Sequence, residues 1–178
     1  DYLGIDCFTN YIEIPEKFVN KARELMPNEK KYIGFSITAG HPTRIKEISV
    51  QEIIKVANHY SKDFVPTFFI EDKHTETKRL LKAGINNSFF PEENLEKEFK
   101  KPMLITAMGA LTEFNISIDN GISHMLSFSN SKNYIFFNKS SEKFRPSNNN
   151  SAIYDCEKTK KKIDKLTSQE IINFIVKN

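Results

Sequence analysis

The residues best placed to do chemistry lie in the run Ser117-Ile118-Asp119-Asn120-Gly121-Ile122-Ser123-His124. A segment that alternates apolar and polar residues ends in Asp-Asn-Gly, and a helix opens at once. Gly121 lets a ligand approach the backbone closely. The free amides of the first helical turn, at the positive end of the helix dipole, suit a phosphate. Asp119 could orient the turn, and His124 lies one turn into the helix. Taken alone, the same residues also read as a plain N-cap with a satisfied histidine behind it.

A second candidate is the loop after an apolar strand, residues 36–46. It offers Thr38, the flexible Gly40 and two cations, Arg44 and Lys46. Arginine can fork onto phosphate oxygens, and lysine supplies a point charge. The glycine spacing fits neither a P-loop nor a dinucleotide fingerprint, so an ordinary polar loop is the alternative. Glu71 and Asp72 follow the next strand, where an acid can accept from ribose hydroxyls. Asp72 reads more simply as an N-cap, and Glu76 is a second choice for the ribose. Met103 is counted with the ligand-binding residues, although with Met108 on one helix it is of a kind more often found in a core. His41, His59 and His74 are scattered without metal spacing, and no metal is expected. There is no Gly-x-Ser-x-Gly elbow and no Cys–His nucleophile arrangement.

These residues need elements to hold them, and the pattern supplies strands and helices in alternation. Glu16 to Met26 reads as a helix behind Pro15, and Tyr32 to Ile37 as a buried strand. Ser49 and Glu52 have capping-box spacing for a helix ending near Tyr60. Phe64 to Ile70 reads as a strand despite Pro66. Asp72 then caps a helix that Gly84 ends in a left-handed turn. Ile85 to Phe90 is a weaker strand, and a helix follows from Pro102 to about Thr112. Phe114 to Ile118 and Tyr134 to Phe137 are strands around a short helix, Ile122 to Phe128. Ala152 to Tyr154 is a last short strand, and Thr167 or Ser168 caps the final helix. This alternation predicts an α/β, Rossmann-like, mostly parallel sheet flanked by helices, with ligands beyond the carboxyl ends of the strands. Residues 1–14 read as a linker and 15–178 as one domain.

Composition narrows the function classes. At 178 residues with a formal charge of +3, the chain is a globular domain with too little basic excess for a nucleic-acid binder. The basic run Lys158 to Lys162 reads as a solvated face, with contact to an anionic membrane surface as the alternative. Cys7 and Cys156 have no metal-type spacing and read as reduced. Charges and two prolines, Pro15 and Pro27, interrupt the first thirty residues, so no signal peptide is expected there.

In order and content these segments resemble the family 9 glycosyltransferases, which include the bacterial ADP-heptose:lipopolysaccharide heptosyltransferases. That family's signature is a strand followed by Asp-Ser/Thr-Gly-x-x-His; here it is matched by Asp119-Asn120-Gly121-Ile122-Ser123-His124. Gly34 to Gly40 with Arg44 and Lys46 matches the strand and basic loop ahead of it. Glu71 to Glu76 stands at the acidic loop. Asn120 replaces the usual Ser or Thr, and Asn138-Lys139-Ser140 replaces a Gly-Pro-Thr loop.

The resemblance implies one half of a GT-B glycosyltransferase, the C-terminal, donor-binding half. The donor would be a nucleotide-diphosphate sugar, ADP-heptose, used in lipopolysaccharide core synthesis, with no further cofactor. Thr38, Gly40, Arg44, Lys46, Glu71, Glu76, Met103, Asp119, Asn120, Gly121, Ile122 and His124 would bind it. The catalytic base and the site for a lipid-linked saccharide acceptor would lie in an N-terminal half, and a chain that begins at Asp1 rather than Met fits such a piece. A cytoplasmic location, with peripheral contact at the bacterial inner membrane, is the matching expectation. A UDP-sugar transferase, an epimerase-like domain and a degenerate nucleotide-binding or interaction module remain alternatives.

Overall fold

The computed structural model describes residues 12–40, 47–142, 144–146 and 150–178. The elements run α1 (Glu16–Leu25), β1 (Tyr32–Ser36), α2 (Val50–Tyr60), β2 (Val65–Phe68), α3 (Thr75–Gly84), α4 (Pro102–Gly109), β3 (Thr112–Ile118), α5 (Gly121–Ser127), β4 (Lys132–Phe137), β5 (Ser151–Asp155) and α6 (Ser168–Lys177). The five strands form one sheet in the order β2-β1-β3-β4-β5, and every pairing is parallel. The sheet is thus α/β and Rossmann-like, as the alternation predicts.

Strand periodicity sends successive side chains to opposite faces, so a strand covered on both sides is apolar throughout. All five residues of β1 are buried. Ile33 and Phe35 point into one core with Ile53 of α2, Leu81 of α3 and Ile171 of α6. Tyr32 points into the other, with Ala22 of α1, Met108 of α4 and Leu126 of α5. Gly34 sits between them for a steric reason. A Cβ there would lie 2.0 Å from Asn115 Oδ1 and 2.9 Å from Phe69 Cε2.

Pro66 is accommodated because β2 is an edge strand. Its carbonyl faces outward and accepts from Phe89 N at 2.8 Å, on the side where β1 needs no donor. The expected strand at Ile85–Phe90 shrinks to this contact, a single bridge between Thr67 and Phe89.

Three expected caps are built differently. Glu52 closes no box with Ser49; its carboxylate accepts from Ser168 N at 2.6 Å and from Lys55 at 2.6 Å, tying α2 to the start of α6. Gly84 is the last residue of α3 rather than a left-handed cap, and it makes room for Ile54, whose Cδ1 would lie 2.8 Å from an added Cβ. Asp72 is not the N-cap of α3, a position that falls to His74. The final helix does follow the sequence: Thr167 and Glu170 form a reciprocal capping box.

Candidate ligand cavity at the sheet's switch point

From β1 the chain winds outward to β2, then crosses back to β3 on the other side. Such a reversal leaves a crevice between the two central loops, beyond the carboxyl ends of their strands. A cavity of about 570 Å³ lies there. Thr38 and Gly40 line it from the loop after β1, and Asn120, Gly121 and Ile122 from the turn after β3. Glu71, Asp72 and His74 contribute from the loop after β2. Glu92, Lys100 and Lys101 come from the segment ahead of α4, and Pro102, Ile105 and Met125 add an apolar wall.

Asn120 joins the two central loops. Its side-chain carbonyl caps α5 by accepting from Ser123 N at 2.8 Å. Its amide donates to Ser36 Oγ at 2.9 Å and to the Thr38 carbonyl at 3.1 Å. The loop after β1 is held a second time where Ala39 N donates to Glu47 Oε1 at 2.7 Å. Neither contact depends on the identity of a ligand, so these backbone segments are positioned in advance.

Charge on the opposite wall is largely paired. Lys100 donates to Asp72 at 2.8 Å and Lys78 donates to its other oxygen at 3.1 Å, which holds the Asp72 carboxyl below its ordinary range. Lys78 is buried, and this contact helps satisfy its ammonium. Glu71 pairs with Lys73. Glu92 differs: burial pushes its carboxyl upward, only partly opposed by Lys78.

Of the residues singled out in the sequence, Thr38, Gly40, Glu71, Asn120, Gly121 and Ile122 therefore line one cavity. Arg44 and Lys46 lie outside the described residues. Glu76 forks with Arg79 on the exposed face of α3, with contacts of 2.6 and 2.8 Å, and does not reach the cavity wall. Met103 packs against the core between α1, α4 and α5. Asp119 donates its backbone N–H to the Phe136 carbonyl at 3.2 Å, joining β3 to β4. His124 is half-buried in α5 and does not line the cavity.

Sequence reading missed Glu92, Lys100 and Lys101 because the segment 91–101 has no regular element and no motif. It missed Glu47 because a carboxylate eight residues from its amide leaves no local signature. Among the described residues there is no group of three or more His, Cys, Asp or Glu side chains able to hold a metal ion. Nor is any described helix long and apolar enough to cross a membrane.

No protein-family model matches the sequence, and no curated protein does. Solved structures do match in fold. A family 9 glycosyl transferase from Veillonella parvula superposes with a TM-score of 0.77 at 14% identity, covering 99% of this chain and 57% of that one. The ADP-heptose lipopolysaccharide heptosyltransferase II of E. coli gives 0.75 at 14% identity, over 94% of this chain and 52% of that one. A second E. coli heptosyltransferase, solved with ADP, gives 0.74 at 14% identity, over 98% and 52%. The fold is thus that of about half of a family 9 glycosyltransferase, and the chain spans about half the length of these neighbours.

Proposed function

We propose that this chain is the nucleotide-sugar-binding portion of a glycosyltransferase that uses a nucleoside-diphosphate sugar, ADP-heptose, in building lipopolysaccharide core. The observation that carries the reading is the cavity at the switch point. The two segments singled out by residue type, 38–40 and 120–122, form adjoining walls of it. The likeness in fold to heptosyltransferases, one of them solved with ADP, supports the choice of ligand.

In this reading the diphosphate lies against the backbone of Gly121 and Ile122 and faces Thr38 and Gly40. Arg44 and Lys46 add positive charge, and Glu71 accepts from the ribose. These groups stabilise negative charge as it grows on the departing nucleoside diphosphate, a role that needs no covalent intermediate. No metal is required of these residues. The base that activates the acceptor, the lipid-linked saccharide itself and contact with the inner membrane belong to a further portion of the enzyme working in the cytoplasm. The isolated chain accordingly binds nucleotide and does not turn over.

Titration of isotopically labelled chain with ADP and with UDP tests this reading. ADP should move the amide resonances of residues 38–40 and 120–122 and bind more tightly than UDP. A UDP preference would point to a different nucleotide-sugar enzyme. Unmoved resonances with both ligands would leave a module that binds no nucleotide.

A further inference from the structure

The cavity wall opposite Asn120 carries three carboxylates: Glu71, Asp72 and Glu92. Two of them have lysine partners, Glu71 with Lys73 and Asp72 with both Lys78 and Lys100. Glu92 forms no ion pair among the described residues. The lysines near it are engaged elsewhere: Lys100 pairs with Asp72 at 2.8 Å, and Lys78 with Asp72 at 3.1 Å and Glu93 at 3.9 Å. Glu92 is half-buried and faces the cavity. A carboxylate withdrawn from water without a partner is costly, and a ligand donor reaching it offsets that cost.

The donors that a nucleoside diphosphate offers are neutral, its ribose hydroxyls and any amino group on its base, whereas its phosphates are anionic and would be repelled. The segment carrying Glu92 leads directly to Pro102 and Ile105, which with Ile122 and Met125 form the apolar part of the wall. A flat heterocycle packs on such a surface, whereas phosphate and ribose do not. A carboxylate beside it is suited to accept from an exocyclic amine, as acidic side chains do from base amino groups.

We propose that Glu92 reads the nucleobase, accepting a hydrogen bond from its exocyclic amino group and selecting amino-bearing bases over keto ones. The inference rests on the nucleotide-binding reading given above and adds a specificity residue to the same cavity. Asp72, Glu71, Lys78 and Lys100 surround Glu92 electrostatically. They set its background charge; Asp72 is held by Lys78 and Lys100, and Glu71 is the group assigned to the ribose.

Calorimetric titration of the chain with ADP, IDP and 2′-deoxy-ADP, using the wild type, Glu92→Gln and Glu92→Ala, tests the assignment. The wild type should bind ADP about tenfold or more tightly than IDP, the scale of one hydrogen bond to a charged group. Glu92→Ala should lower ADP affinity by about the same factor and leave IDP nearly unchanged. Glu92→Gln, whose amide can donate to a keto oxygen, should shift preference towards IDP, a gain that a purely structural role cannot produce. Equal ADP-to-IDP ratios in all three proteins would overturn the proposal while leaving nucleotide binding intact. So would a discrimination seen only between ADP and 2′-deoxy-ADP, which would place Glu92 at the ribose. Wild-type chain that binds none of the three would overturn the nucleotide-binding reading itself, and this inference with it.

Discussion

Asn120 does two jobs that separate on substitution. As an N-cap, Asp is as good as Asn in general. Here the amide nitrogen also bridges to Ser36 Oγ and the Thr38 carbonyl. Asn120→Asp keeps the cap but turns a second carboxylate oxygen towards the Thr38 carbonyl, which can only accept. We expect it to destabilise the chain by about 1–3 kcal/mol, measured by urea denaturation; a neutral effect would mean that capping alone matters. Cys156 is the other residue with a clear expectation. Fully buried, its thiol is pushed up to about 11, chiefly by loss of solvent. In a Cys7→Ser background it should therefore resist a thiol-specific reagent at neutral pH until the chain unfolds. At this scale the sequence showed which residue types could bind a phosphate, but not where Asn120 would point. Its partners are 82 and 84 residues away, beyond any local pattern.

Elements were the most legible part. Continuous apolar runs marked β1 and β4 as buried strands, and Thr167 or Ser168 as a cap marked the start of α6, where the structure adds Glu170 to Thr167 as a capping box. Where the sequence misled, a distant element had claimed the residue. Glu52 went to α6 instead of Ser49, and Gly84 yielded space to Ile54 instead of turning the chain. The capping box of α6 makes two expectations. Thr167→Ala should cost about 1 kcal/mol in chemical denaturation. Glu170, held near 2 mainly by the Lys161 hydrogen bond and then by the Thr167 amide, contributes stability that is present above its unfolded value. That contribution should disappear as pH falls from about 4.5 towards 2, a fall that Glu170→Gln should flatten. In the sheet, Gly34→Ala must displace Asn115 and Phe69 from a packed interior. A loss of at least about 1–3 kcal/mol is expected, visible as a lowered Tm.

Taken whole, the molecule places cavity and sheet on the same junction. Loops from β1 and β3 make one side of the cavity, and these strands are neighbours inside the sheet, β3 at its middle. A ligand seated there binds only the folded chain. Saturating ADP at 100 times its dissociation constant should therefore add about 2.7 kcal/mol to unfolding free energy and raise the Tm. An unchanged Tm at that concentration would count against the proposed ligand.

The strand order also fixes when the molecule can come together. Residues 37–111 lie between β1 and β3, yet all five residues of β1 pair with β3, with one register shift between Tyr32 and Ile33. A parallel pair separated so far along the chain cannot zip from a turn; its ends must find each other across a long loop before any ladder bond repays the search. Refolding should accordingly be slow, on the order of milliseconds to seconds, with α1 and α2 left exposing apolar faces meanwhile. On a ribosome, β1 would wait for most of the chain to emerge before its central neighbour existed. The cavity's central junction and the sheet's midline would then close in a single late event, and ADP should act mainly by slowing the reverse step.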